Sequence, residues 1–139
     1  MDSLTVIAIV VGSSAVWDDL RHRTISNWIS LTGVLSGLAY HSWHGGWHGL
    51  AAALEGTALG MAIFLVVYAL GGMGGGDVKL MAAFGSLLGP SGILTAVVLI
   101  CGIGGLMAVA SLLIRRQQKA IPYGPAIVLG SWLALFAGR

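Results

Sequence analysis

Apolar stretches occupy almost the whole chain, at residues 4–17, 28–40, 50–70, 78–88, 93–114 and 121–137, with short polar breaks between them. A helix rises about 1.5 Å per residue, so about 20 apolar residues are needed to cross the hydrocarbon core of a bilayer. The third, fifth and sixth stretches cross comfortably, and the first two do so once their flanking residues join the helix. The fourth is too short to cross an unthinned bilayer alone. Nothing alternates apolar with polar residues as a barrel strand would. Only 9% of the 139 residues are charged, against about 25% in a soluble domain, which is too few to cover a globule in water. The solvent for this fold is therefore lipid, and segments that must satisfy their own backbone hydrogen bonds there are helices. The expected fold is all-α, a polytopic membrane bundle of about six transmembrane helices forming a single domain over residues 1–139.

Topology follows from the breaks. Those at 18–27, 71–79 and 115–120 hold Arg21, Arg23, Lys79, Arg115, Arg116 and Lys119, whereas those at 41–49 and 89–92 hold no Lys or Arg. The positive-inside rule puts the first three in the cytoplasm and the other two outside, with both termini outside. Trp43 and Trp47 then suit the outer interface, and Trp17 and Trp28 the inner one. The basic residues form no patch with interleaved aromatics, so no nucleic-acid partner is expected. The small-residue run Gly12-Ser13-Ser14-Ala15 resembles a signal cleavage site, but the chain opens on Asp2 without Lys or Arg, so the first segment is expected to be retained. Cys101 is the only cysteine, which excludes an intrachain disulfide and a Cys-based zinc site.

The acidic residues are Asp2, Asp18, Asp19, Glu55 and Asp77. Asp18 and Asp19 follow the first apolar stretch and Asp77 precedes the fourth, so they share a side and a depth although they lie far apart in sequence. Carboxylates at a membrane boundary are costly and invite a functional reading. Two adjacent carboxyls share a proton because both cannot ionise cheaply. One then takes a proton from water while the other donates to a substrate carbonyl. Such a pair hydrolyses a peptide without metal, thiol or covalent intermediate. On spacing alone an Asp N-cap after a glycine-rich loop explains Asp77 equally well. A solvated, topology-setting turn likewise explains Asp18 and Asp19.

Gly74-Gly75-Gly76-Asp77 matches the GxGD motif of aspartic membrane peptidases. With Val78, Lys79 and Leu80, and with Gly85 and Gly89 beyond, it resembles the type IV prepilin peptidases in particular. In that family the first catalytic Asp precedes a basic stretch ending in Ile/Leu-Pro-Asn/Asp. The run Asp19-Leu20-Arg21-His22-Arg23-Thr24-Ile25-Ser26-Asn27 is similar, with Ser26 where Pro is usual. Ile121-Pro122-Tyr123-Gly124-Pro125-Ala126 resembles the family's proline-rich approach to the last helix, although Pro in a first helical turn is ordinary. The resemblance runs in order from Asp19 to Ala126. It implies that Asp19, not Asp18, and Asp77 are catalytic, with Gly74, Gly76, Lys79, Asn27, Pro122, Tyr123 and Gly124 binding substrate or supporting the site.

It further implies a leader peptidase of the bacterial inner membrane whose site faces the cytoplasm. Its substrate would be a type IV prepilin or pseudopilin with a short basic leader before an apolar helix. No metal or cofactor is expected. The paired CxxC motifs of a methyltransferase region do not occur in the chain, so it looks like the peptidase-only form associated with Tad or Flp pili. A preflagellin peptidase, a small transporter or channel, and an inactive structural subunit are the alternatives. Lys79 reads equally as a substrate contact and as a topology anchor. His41, His44 and His48 lack the regular spacing of a metal site and read as interfacial, and Glu55 as a snorkelling or interhelical residue.

Overall fold

The computed structural model describes residues 2–113 and 123–138. The break at 115–120, with Arg115, Arg116 and Lys119, and also Pro122, lie outside the described residues. The rest is a helical bundle without strands among the described residues: α1 (Ser3–His22), α2 (Asn27–Ala69), α3 (Gly75–Leu113) and α4 (Gly124–Ala137). Three of them, α1 to α3, are long and apolar enough to cross a membrane, and α4 is a shorter apolar helix. The bundle is as expected; the count of about six separate helices is not. The stretch 28–40 and residues 50–69 of the next belong to one helix, α2, and 78–88 with the described residues 93–113 to another, α3.

The reason lies in the two uncharged breaks. Helical pairing runs up to a single non-helical residue in each, Gly46 (φ 55°, ψ −137°) and Gly89 (φ 70°, ψ −178°), and resumes directly after it. Positive φ is cheap only without a Cβ, and Pro90 after Gly89 opens the next helical turn at little cost. Each break turns the chain back on itself. A Cβ on Gly60 would touch both Met81 and Ile93, which a straight helix would hold about 18 Å apart. Likewise Gly49 packs on the carbonyl of His41 across the α2 break.

The limb of α3 at 75–88 is the centre of the bundle. Leu80, Met81, Phe84 and Leu87 are fully buried in it. The first limb of α2 covers one side, where Gly33 meets Ala83 and Gly37 meets Ser86; the second limb covers the other, where Gly56 meets Gly85 and Gly60 meets Met81. A helix enclosed by protein need not match the bilayer's thickness, which accounts for the shortness of the fourth apolar stretch. Ser86 Oγ donates to the Val34 carbonyl at 2.8 Å. His41 Nε2 donates at 2.9 Å to the Leu87 carbonyl, one of those left without a helical partner by the break at Gly89. The outer surface carries Val10, Leu35, Leu54, Val66, Val98 and Leu106 in exposed positions, an apolar coat suited to lipid. The chain is a multi-pass membrane protein.

Candidate active site

Two helix ends and one glycine loop build the site. Asp19 lies in the last turn of α1, which Arg23 closes in the left-handed conformation (φ 53°, ψ 26°) with its N–H donating to the Asp19 carbonyl at 2.8 Å. Asp18, its neighbour, points elsewhere. One oxygen of the Asp18 carboxylate accepts the Ser26 N–H at 2.7 Å, and the other is 2.9 Å from His22 Nδ1. The adjacent pair thus divides by partner, Asp18 to the turn and Asp19 inward.

The glycine loop begins as a helix stop. Gly71 (φ 78°) donates to the Tyr68 carbonyl and Gly72 to that of Val67, both at 2.9 Å, which is the Schellman ending of α2. Asp77 sits in the first turn of α3 and is not its N-cap. Its Oδ2 accepts the N–H of Gly74 at 3.3 Å while its own N–H donates to the Gly74 carbonyl at 3.2 Å, the back-reaching half of a capping box. The N-cap alternative for Asp77 is therefore corrected by position: a carboxylate in the first turn reaches back and satisfies a backbone donor from there.

Asp19 and Asp77 are each only 8% exposed, yet both line one cavity of about 590 Å³ and lie close enough to interact electrostatically. Asp19 Oδ2 is buried and accepts no hydrogen bond from the described residues. The backbone N–H of Gly124, at the start of α4, lies beside the same carboxylate. Arg23 and Lys79 bring positive charge to the cavity, residues 74–76 bring partly exposed backbone, and Met61, Leu65 and Tyr68 form a wall. That space suits a ligand of peptide size together with water.

The other expected residues divide. Gly74 holds Asp77. Gly76 packs on the turn, where a Cβ would come within 3.2 Å of Ile25. Lys79 lines the cavity and its Nζ donates to Asn27 Oδ1 at 2.7 Å, so Asn27 reaches the site through Lys79. Gly124 abuts Asp19, and a Cβ there would collide with the carboxylate. Tyr123 is not brought to the cavity; it packs 3.6 Å from the Cβ position of Gly104. His44 stacks on Tyr40 at 4.2 Å and bonds its carbonyl, and Glu55 is exposed on α2. Met61, Leu65 and Tyr68 were missed by motif reading. Their i, i+4, i+7 spacing puts them on one helix face, a signal available within the third apolar stretch.

The sequence model of the type IV leader peptidase family matches residues 5–109. Similar proteins include the prepilin leader peptidase/N-methyltransferase of Aeromonas hydrophila, 32% identical over 132 residues, covering 86% of this chain and 44% of that protein. That of Bacillus subtilis (strain 168) is 38% identical over 91 residues, covering 63% and 37%. That of Xanthomonas campestris pv. campestris is 30% identical over 137 residues, covering 87% and 45%. The chain thus spans less than half the length of these relatives. No solved structure is matched. The matched residues include α1 to its end, the turn, both limbs of α2 and the Asp77 loop, which are the parts that enclose the cavity. By that match, this chain belongs to the type IV leader peptidase family.

Proposed function

We propose that the chain is an aspartic endopeptidase, acting as one membrane domain, that removes the leader of type IV prepilins of the Flp-like kind. The observation that carries this reading is the pair of buried carboxyls, Asp19 and Asp77, on one cavity. In the reaction one carboxylate takes a proton from water while its partner, protonated, hydrogen-bonds the scissile carbonyl. Water adds to the carbonyl carbon, and the tetrahedral intermediate collapses as a proton passes to the leaving amine. The substrate's basic leader approaches from the cytoplasmic face of a bacterial inner membrane, and its apolar helix stays in lipid. The partly exposed backbone of residues 74–76 pairs with the extended strand around the bond to be cut, while Lys79 and Arg23 hold carbonyls flanking it. Gly124 supports Asp19, and Tyr123 caps the start of α4.

The test is cleavage of a purified Flp-type prepilin by the protein in detergent or lipid, read as a gel shift. Asp19→Asn and Asp77→Asn should each lower cleavage by about a hundredfold or more while leaving expression and thermal stability intact. Cleavage that survives Asp77→Asn would remove the two-aspartate mechanism.

A further inference from the structure

The turn that joins α1 to α2 is strained and pinned. Arg23 holds a positive φ of 53° without being glycine, a conformation that costs about 1 kcal/mol and persists where its surroundings over-determine it. The restraint is visible. Asp18, one turn before the end of α1, reaches across eight residues to accept the Ser26 N–H at 2.7 Å. His22 Nδ1 fixes the other carboxylate oxygen at 2.9 Å. Ser26 is the N-cap of α2, yet its own side chain makes no capping bond. The Asp18 bond therefore acts on the Ser26 backbone and not on its hydroxyl. Arg23, Thr24 and Ile25, the residues enclosed by this bond, all line the cavity. Ile25 is buried, and its backbone nitrogen stands 3.2 Å from the Cβ position of Gly76 in the Asp77 loop.

We propose that Asp18 is a positioning residue of the cleavage site: through the Ser26 N–H it holds residues 23–25 against the Asp77 loop. The proposal rests on the reading of Asp19 and Asp77 as the catalytic pair, and gives their neighbour a separate task. Ser26 has φ −62° and ψ 135°; a proline ring imposes that φ by itself and is compatible with that ψ. A proline at 26 would lose the N–H but supply the same restraint covalently. Asp18 and a proline at 26 are thus alternative ways to hold one turn, and only the loss of both frees it.

The experiment is a double-mutant cycle on prepilin cleavage. Asp18→Ala should lower kcat/KM by about tenfold, and Asp18→Asn, which keeps an acceptor oxygen, by only about two- to threefold. Ser26→Ala and Ser26→Pro alone should stay near wild type. Adding Ser26→Pro to Asp18→Ala should restore kcat/KM to within about twofold of wild type. Hydrogen exchange supplies a readout independent of cleavage: Asp18→Ala should speed exchange across residues 23–27 and leave the central limb of α3 unchanged. Wild-type kcat/KM in Asp18→Ala, or a loss that Ser26→Pro does not recover, would overturn the proposal. So would unchanged exchange at 23–27. If wild type does not cut, or Asp19→Asn cuts as well as wild type, the two-aspartate reading fails instead. The exchange comparison then still decides whether Asp18 holds the turn.

Discussion

At the residue scale the chain shows how two adjacent identical side chains acquire different tasks. Asp18 and Asp19 are about 100° apart around α1. One meets the backbone of the following turn and the other meets α4 and the cavity. Gly124 is what lets α4 start beside Asp19, because any Cβ there would occupy the carboxylate's space. Gly124→Ala should therefore displace Asp19 and cut cleavage by up to about a hundredfold, with a much smaller change in melting temperature; a cleavage assay beside a thermal melt separates the two. Asp19, Asp77 and Gly124 could all be picked out from motif order. The partner of Asp18 could not, since a hydrogen bond between residues 18 and 26 depends on where the turn runs. Ser26 departs from the proline that the resemblance calls for, yet its φ of −62° is one that proline fixes.

At the element scale, the folding back of α2 and α3 sets the bundle's centre. The central limb of α3 meets the second limb of α2 at Gly56 and Gly85, where a Cβ on either would strike the other's backbone carbonyl. Backbone gives way less readily than a side chain tip. Gly85→Ala should consequently cost about 2–3 kcal/mol, read as a lowered unfolding midpoint in detergent, while Gly105→Ala, at a position open to its surroundings, should not. The apolar stretches and the charged breaks were legible from periodicity and composition. That the uncharged breaks would be reduced to single glycines was not, because the sequence there offers several glycines (Gly45, Gly46 and Gly49; Gly89 and Gly92) and only packing selects the one with positive φ. Placement of α4 is likewise a packing outcome: Trp132 Nε1 donates to the Ala8 carbonyl at 3.0 Å over the space left by Gly12.

For the whole molecule, the cavity and the break around Gly46 are expected on opposite faces of the membrane, with the cavity toward the cytoplasm. Single cysteines at His44 and Arg23, each in a Cys101→Ser background, test this with a membrane-impermeant maleimide on intact cells: His44→Cys should label and Arg23→Cys should not until the membrane is opened. The reverse pattern would invert the topology. The sequence by itself determined the solvent of this fold, its helical class and the order of its motifs, because hydropathy, charge scarcity and local spacing are properties of short windows of chain. Only the tertiary structure decided which limb lies at the centre, which backbone group Asp18 binds, and which helix face forms the cavity wall. Those depend on close approaches between residues tens of positions apart, where the presence or absence of a single Cβ sets the distance.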